Sequence, residues 1–282
     1  MVDPAIVEQK AELLFPDQIF SRPINRLQTP QVGVIGGSRD NLKPLHDVYQ
    51  ALDACNNRTI LAVPAEVSPI VGSLAELVFV QSEKYTDDAT IAQRLADCNM
   101  IVLAPGMKVT SQWHIRLEKI LRQSHTSAVW TEEALPIVAA SPELLNAPGS
   151  IVVLSSEQAI RLANKYQLPV TIAPARGIYN KIALMRALSE HTNAHIVLCD
   201  EHQIATYHYT LSTAGLLQDA QHSYSDQQYI LAGTIAGLTA GVVGVQRQYE
   251  AIMNALYIFR EAMLDTNSDH AKRIRQVIDN II

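Results

Sequence analysis

Short runs of β-branched and other apolar residues recur along the chain, and most of them precede a longer segment of helical period. The candidate strands are residues 32–35, 59–63, 77–80, 100–103, 127–130, 150–154, 170–172, 195–199 and 204–207. Strands that alternate with helices along a sequence usually pack as a parallel sheet with helices on both faces. The pattern therefore predicts an α/β fold with a central, mostly parallel sheet.

Between these runs, apolar residues follow a helical spacing. The clearest sets are Leu45, Val48, Tyr49 and Leu52, then Ile115, Leu117, Ile120 and Leu121, and then Ile182, Leu184, Met185 and Leu188. We expect each set to form one apolar helix face that packs on the sheet. From Gln227 onward the strand pattern stops, and two or three helices finish the chain, with a polar break at residues 266–269 before the last.

The length and the composition fit one large folded unit. The chain has 282 residues, of which 48% are hydrophobic, and this is enough to bury a sizeable core. We expect a single domain over residues 1–282, to which residues 1–25 could add a helical extension.

The charge and the hydropathy argue against nucleic-acid and membrane partners. The net charge is −6, and no cluster of lysines and arginines marks a surface for nucleic acid. The longest weakly polar run, residues 230–245, is shorter than the roughly 20 residues that span a bilayer. A buried core helix is the better interpretation of that run.

The cysteines and the amino terminus favour a cytoplasmic protein. Cys55, Cys98 and Cys199 are odd in number and far apart, so the sequence predicts neither a disulfide framework nor a metal site. The chain begins without the basic segment and apolar core of a secretory signal. The histidines of the later part also lack metal-ligand spacing, and they are His191, His195, His202, His208 and His222.

Residues 230–238 have the small-residue pattern of a phosphate-binding helix. Glycine and alanine at positions such as Gly233 allow another backbone, or an anion, to approach the helix closely, and a helix amino terminus favours negative charge. The turn that precedes this helix, residues 226–229, contains no glycine. A cradle of bare backbone N–H groups is therefore harder to form there.

Two strand ends carry glycines that could contact a ligand. Gly36, Gly37 and Ser38 follow the first candidate strand, and Pro105 and Gly106 follow the fourth. The carboxyl ends of the strands are where an open parallel sheet binds its ligands. Tight strand-to-helix turns explain the same residues, and the sequence leaves both interpretations open.

Polar residues follow two further strands. Glu132 and Glu133 could act as a paired acid and base, or could complement a helix dipole behind Thr131 as N-cap. Ser155 and Ser156 indicate a helix cap, because a nucleophilic serine needs a base that the sequence does not place.

The order of these segments resembles one enzyme family. The segments that carry the resemblance are VIGGS (34–38), ILAVPAE (60–66), MIVLAPGM (100–107), VWTEEAL (129–135), VLSSE (153–157), VLCD (197–200) and DQQYILAG (226–233). In order and spacing they are similar to the ADP- or ATP-dependent NAD(P)H-hydrate dehydratase family of the ribokinase-like superfamily. The resemblance implies a three-layer αβα sandwich, a nucleotide with Mg²⁺ as cofactor, and a homo-oligomer that serves metabolite repair.

The sequence departs from the family at the positions that carry its chemistry. The family's catalytic aspartate falls on Tyr229, its loop glycines on Asp226 and Gln228, and its lysine on Cys199. Its Thr-Pro-His-x-Gly turn falls on a shortened segment at residues 154–156. Asp226 lies three residues before the aspartate position, so a rearranged turn could still bring its carboxylate into the cleft as a base or Mg²⁺ ligand.

Two functions follow from the resemblance. The first is a catalytically degenerate relative that still binds a nucleotide-like ligand, and the second is an active dehydratase, a carbon–oxygen lyase, with Asp226 in a rearranged turn. The residues that the resemblance assigns to nucleotide or substrate binding are Gly36, Gly37, Ser38, Pro105, Gly106, Ser155, Ser156, Tyr229 and Gly233.

Overall fold

A computed structural model describes most of the chain. The described residues are 12–23, 25–74, 77–81, 87–168, 177–200, 204–207, 211–213, 227–264 and 269–282. The predicted strand at 170–172, the candidate catalytic residue Asp226 and the polar break up to residue 268 lie outside them.

Within the described residues, nine strands form one sheet at the centre of the fold. Its strands are β1 (Gln31–Ile35), β2 (Arg58–Pro64), β3 (Leu77–Gln81), β4 (Met100–Leu103), β5 (Ala128–Trp130), β6 (Ile151–Leu154), β7 (His195–Leu198), β8 (Ile204–Tyr207) and β9 (Leu211–Thr213). The spatial order is β3-β2-β1-β4-β5-β6-β7-β8-β9. Strands β1 to β7 are parallel, and β8 and β9 continue the sheet as antiparallel neighbours.

Helices cover both faces of the sheet. They are α1 (Pro16–Phe20), α2 (Lys43–Ala54), α3 (Ser68–Val71), α4 (Asp87–Ala96), α5 (Ser111–Ser124), α6 (Leu135–Ala140), α7 (Ser156–Lys165), α8 (Ile178–Thr192), α9 (Gln228–Thr239), α10 (Val245–Met263) and α11 (His270–Ile281). One core cluster joins the sheet to α2, α9, α10 and α11, and a second joins it to α4, α5, α6, α7 and α8. The predicted αβα sandwich with a mostly parallel sheet is confirmed.

The pleat of each strand divides its residues between the two cores. Val102 of β4 belongs to the cluster with α9, whereas Ile101 and Leu103 belong to the cluster with α5. A strand that is buried on both faces is apolar throughout, and this explains why β4 appears as a continuous apolar run in the sequence.

The final helices agree with the sequence pattern. Three helices follow residue 227, and α11 begins behind Asp269, whose side chain accepts hydrogen bonds from the N–H groups of Ala271 and Lys272. The apolar residues of α10, such as Leu256 and Phe259, are buried in the core of their own domain.

Two details differ from the expectations. Strand β9 was not predicted, because Leu211–Thr213 is too short to show a strand pattern. Ile115 is 60% exposed, and the buried face of α5 instead contains Arg116, whose guanidinium lies 2.7 Å from the carboxylate of Asp88. The apolar face of α5 is thus narrower than its sequence suggests.

No helix in the described part of the chain is long and apolar enough to cross a membrane. Cys55, Cys98 and Cys199 are all buried and free of disulfides. Burial raises the pKa of each of their thiols, to about 11 for Cys55. These thiols are consequently poor nucleophiles and metal ligands at neutral pH.

Candidate functional site

The sheet order reverses between β1 and β4, and this is where an open α/β sheet forms its ligand crevice. The loops that leave these two strands contact each other. The Gly37 N–H donates to the Pro105 carbonyl at 2.8 Å, and the Ser38 hydroxyl donates to the Gly106 carbonyl at 2.8 Å. A Cβ added at Gly36 would lie 2.7 Å from Pro105. The structure therefore brings these five predicted residues together.

Glycine is needed at two of these positions. Gly37 has a φ of 83° and Gly106 has a φ of 70°, and residues that carry a side chain rarely adopt such positive values. A Cβ at Gly106 would also lie 2.3 Å from the Asn41 carbonyl oxygen. These contacts explain both glycines as parts of tight turns, and the ligand role remains a prediction.

Glu133 joins three parts of the crevice. One carboxylate oxygen accepts hydrogen bonds from the Gly106 N–H at 3.0 Å and from the Tyr229 hydroxyl at 2.7 Å. The Thr131 hydroxyl donates to the Leu103 carbonyl at 2.6 Å and lies 3.2 Å from the other oxygen of Glu133. Thr131 precedes the short 3₁₀ turn as expected, but its side chain makes no capping hydrogen bond.

The surroundings of Glu133 and Tyr229 shift the pKa values of both groups upward. Burial raises the pKa of the Glu133 carboxyl, and the hydrogen bonds from Tyr229 and Gly106 partly oppose this shift. Burial and the negative charge of Glu133 raise the pKa of the Tyr229 hydroxyl well above its usual value. Tyr229 consequently keeps its proton at neutral pH and acts as a hydrogen-bond donor.

An open cleft of about 500 Å³ lies beside this contact. Its lining residues come from the start of α2, the ends of β5 and β6, and the start of α9, and they are Asn41, Lys43, Pro44, Asp47, Glu132, Ser155, Gln158, Gln228 and Tyr229. Lys43 is the one cationic side chain among them, and it pairs with Asp47 at 2.5 Å. Glu132 accepts a hydrogen bond from the Gln228 amide at 2.8 Å.

Helix α9 points its amino terminus at this cleft. Its N-cap residue is Gln227, which makes no side-chain capping hydrogen bond. The Oε1 atoms of Gln227 and Gln228 are buried without a hydrogen-bond partner among the described residues. Among the described residues, no N-cap side chain occupies the first N–H groups of this twelve-residue helix, and such groups favour an anion.

The small residues of α9 serve packing between helices. A Cβ at Gly233 would lie 2.7 Å from the Val48 carbonyl oxygen and 2.8 Å from the Ala51 Cβ. A Cβ at Gly237 would likewise lie 2.8 Å from the Cβ of Cys55. Of the two alternatives for this pattern, the close approach of another backbone is the one that the structure contains.

Ser155 and Ser156 occupy different environments. Ser155 is the N-cap of α7 in a capping box with Gln158, as the cap interpretation expected, and it lines the cleft. The Ser156 hydroxyl hydrogen-bonds to the Asp200 carboxylate, whose oxygen also lies 3.2 Å from the Lys181 Nζ. Lys181 is largely buried, with 8% of its side chain exposed.

Sequence reasoning missed Lys43, Asp47, Lys181 and Asp200. The position of Asp200, two residues after the end of β7, was a usable signal, because neighbouring parallel strands end at the same edge of the sheet. Nothing in the sequence distinguishes Lys43 from other surface lysines. Lys181 lies three, four and seven residues before Leu184, Met185 and Leu188, so it falls on the apolar face of α8, and this spacing was a usable signal of its burial.

The candidate catalytic carboxylate, Asp226, lies outside the described residues, as do His202, His208 and His222. Within the described part, no three histidine, cysteine or carboxylate side chains gather as a metal site. His195 is buried, and its Nδ1 lies 3.2 Å from the Thr206 carbonyl oxygen.

Comparisons with known proteins identify the fold. No protein-family model and no curated protein matches the chain. A ribokinase-like superfamily protein from Enterococcus faecalis V583 is similar over 100% of this chain and 97% of its own, with a TM-score of 0.73 at 15% identity.

Two further solved structures have stated activities. The ADP/ATP-dependent NAD(P)H-hydrate dehydratase of Bacillus subtilis, crystallised with ATP and Mg²⁺, has a TM-score of 0.62 at 12% identity and covers 94% of this chain and 96% of its own. A hydroxyethylthiazole kinase from Pyrococcus horikoshii OT3 has a TM-score of 0.58 at 12% identity, over 95% and 92% of the two chains. This chain therefore has the ribokinase-like fold, which small-molecule kinases and a hydrate dehydratase share.

Proposed function

We propose that this protein binds a nucleotide-like ligand, with Mg²⁺, in the cleft before α9, and that it is a divergent relative of the NAD(P)H-hydrate dehydratases without their catalysis. The observation that carries the proposal is the contact between Tyr229 and Glu133 at 2.7 Å. Tyr229 stands at the position where the resemblance places the catalytic aspartate, and the cleft beside Tyr229 is open.

The start of α9 supports an anionic ligand. Its uncapped N–H groups and the positive end of its dipole favour a phosphate group. Lys43 at the rim of the cleft, with 73% of its side chain exposed, supplies a positive charge that a phosphate group would share with Asp47. Phosphate oxygens accept hydrogen bonds from backbone N–H groups and from a lysine ammonium group alike.

The acidic residues of the cleft favour a ligand that binds together with Mg²⁺. Asp47 and Glu132 would repel a phosphate group that bound alone. Mg²⁺ is commonly held by one or two carboxylates together with phosphate oxygens and water. The carboxylates present fit this role, and they would hold the ion while the ion offsets the charge of the ligand.

Tyr229 is unsuited to catalysis of phosphoryl transfer. Such transfer needs a carboxylate that orients and deprotonates the attacking hydroxyl. Tyr229 keeps its proton, and its hydroxyl is already engaged with Glu133. A ligand can therefore bind beside Tyr229 without a base to activate it.

A second function is an active dehydratase that uses Asp226. This residue directly precedes Gln227, the N-cap of α9, and α9 begins at the cleft. Because Asp226 is only one residue from the N-cap, its carboxylate is close enough in sequence to serve the cleft as a base or as a Mg²⁺ ligand.

Calorimetric titration of the protein with ADP, ATP, NADPH and adenosine, each with and without Mg²⁺, tests the binding proposal. We expect ADP and ATP to bind with Mg²⁺ and to bind several-fold more weakly without it. Lys43→Gln should weaken ADP binding by about three- to tenfold, roughly 0.7–1.4 kcal/mol, and leave adenosine unaffected, because adenosine has no phosphate.

Arg161→Gln is the matched control, since Arg161 is an exposed cation of α7 that pairs with Glu157 and does not line the cleft. It should bind ADP as the natural protein does. The proposal is wrong if no nucleotide binds, or if Lys43→Gln and Arg161→Gln bind ADP with the same affinity.

A further inference from the structure

The capping box at the start of α7 presents two hydrogen-bond donors to the cleft. Ser155 and Gln158 both line the cleft. The Ser155 N–H donates to the Gln158 Oε1 at 2.7 Å, and the Gln158 N–H donates to the Ser155 Oγ at 3.3 Å. The box therefore engages the acceptor atom of each side chain and leaves a donor on each, the Gln158 Nε2 and the Ser155 hydroxyl hydrogen.

The Gln158 amide nitrogen is fixed in place and remains accessible. Only 7% of Gln158 is exposed, and the hydrogen bond from Ser155 to Oε1 determines which end of the amide carries the nitrogen. No described residue accepts a hydrogen bond from Nε2, yet this atom is not one of the unsatisfied atoms that are closed off from solvent. Because Gln158 lines the cleft, the accessible surface of this nitrogen lies there.

A ligand that fills the cleft displaces the water that solvates these two donors. A donor that loses water and gains no acceptor weakens binding, so a site of this kind discriminates against ligands that lack the matching group. The ligand group beside Ser155 and Gln158 must therefore be an acceptor. A carbonyl oxygen has two lone pairs and can accept from both donors, whereas a ring nitrogen accepts one hydrogen bond and an amino group is itself a donor.

The charges around the start of α7 favour an uncharged acceptor. The carboxylates of Glu157 and Asp200 pair with Arg161 and Lys181 respectively. Glu132 adds a negative charge to the cleft, and its hydrogen bond comes from a neutral amide. In this described part of the chain, no positive side chain is left over for a second anionic group. A neutral carbonyl oxygen therefore fits this place better than a carboxylate or a further phosphate.

We propose that Ser155 and Gln158 select a nucleotide whose base carries a carbonyl oxygen, and that both side chains donate to that oxygen. This inference rests on the proposed function, in which the cleft binds a nucleotide-like ligand with its phosphate group at the start of α9. Inosine diphosphate has a carbonyl oxygen where ADP has an amino group. The cleft therefore binds inosine diphosphate in preference to ADP.

Calorimetric titration with ADP and with inosine diphosphate, each with Mg²⁺, tests this selectivity. We expect inosine diphosphate to bind the natural protein at least fivefold more tightly. Gln158→Glu keeps an acceptor for the Ser155 N–H, because glutamate also forms a capping box, but it replaces the donor in the cleft by an acceptor. The preference should disappear or reverse in this variant. Both ligands carry the same phosphate groups, so the ratio of their affinities cancels the effect of the added charge.

Gln112→Glu is the matched control, since Gln112 is an exposed glutamine of α5 that does not line the cleft. This variant should keep the preference for inosine diphosphate. Ser155→Asp retains a favourable N-cap residue but lacks the hydroxyl donor, and it should reduce the preference. Thermal unfolding checks that all three variants fold.

Equal affinities of the natural protein for the two nucleotides would overturn this selectivity and leave the proposed nucleotide binding intact. A preference that stays unchanged in folded Gln158→Glu and Ser155→Asp variants would overturn it as well, because the two donors would then contribute nothing. Failure of both nucleotides to bind would overturn the proposed function and the selectivity together.

Discussion

Glu133 connects residues that are far apart in the chain. It binds Gly106 from the end of β4 and Tyr229 from the first turn of α9, which is 96 positions away. The sequence identified Glu133, Gly106 and Tyr229 as separate candidates, but it gave no sign that they meet. Contacts between side chains on different loops depend on the packed fold, so a single sequence does not reveal them.

Tyr229→Phe removes the hydroxyl and leaves the Glu133 carboxylate with one donor fewer in a largely buried position. We expect the free energy of unfolding to fall by about 1–2 kcal/mol. Urea unfolding measures this change, and Tyr179→Phe is the control, because Tyr179 is 63% exposed. Equal stability of the two variants would contradict the assigned hydrogen bond.

Glu133 also gives the stability a dependence on pH. Because burial raises its pKa in the folded state, the folded protein binds this proton more tightly than the unfolded chain does. The contribution of Glu133 to stability is therefore largest at low pH and is lost as the pH rises from the usual pKa of 4.5 through the raised folded value.

Glu133→Gln keeps the acceptor for Gly106 and Tyr229 but cannot ionise. We expect its stability, relative to that of the natural protein, to increase as the pH rises from 4.5 toward neutral. Urea unfolding at several pH values tests this expectation. A difference between the two proteins that does not change over this range would show that the carboxyl titrates normally.

At the scale of elements, the packing of α9 on α2 sets the position of the cleft. Both helices begin at the cleft, with Lys43 on α2 and Gln228 on α9, and they contact each other along the buried glycine face of α9. The pattern of small residues in α9 predicted close packing or anion binding without deciding between them. The structure decides between them, because α2 packs against these small residues, and a single sequence does not show which helix packs against α9.

Gly233→Ala tests the role of that packing. The new Cβ would meet the Val48 carbonyl oxygen, which belongs to the backbone of α2 and cannot rotate away. We expect a loss of about 1–3 kcal/mol in unfolding free energy, measured by thermal or urea unfolding. Gly177→Ala, where a Cβ would lie 3.9 Å from the Asn180 Nδ2, should cost less than about 1 kcal/mol. A mild effect at Gly233 would show that α9 and α2 are less closely packed.

At the scale of the whole molecule, the sequence predicted the architecture well. Strands such as β1 and β4 are buried on both faces and therefore appear as apolar runs, and the amphipathic helices α2 and α5 follow them. Strand β9, which pairs with β8 in antiparallel fashion, escaped prediction because three residues are too few to show a strand pattern.

The candidate site was harder to predict than the architecture. The strand ends with Gly36 and Gly106 were found because backbone turns leave a local signature in the sequence. Lys43 and the ion pair of Lys181 and Asp200 were missed, since these contacts arise only when distant helices and strand ends meet.

The central claim is that the cleft binds a nucleotide-like ligand without turning it over, and a dehydration assay tests this most directly. Hydrated NADPH is incubated with ATP or ADP, Mg²⁺ and the protein, and both NADPH and phosphate are measured over time. We predict no formation of either product above the rate without protein, although calorimetry of the same sample detects nucleotide binding. Turnover that is lost in Asp226→Asn would contradict the account and would establish the active dehydratase in its place.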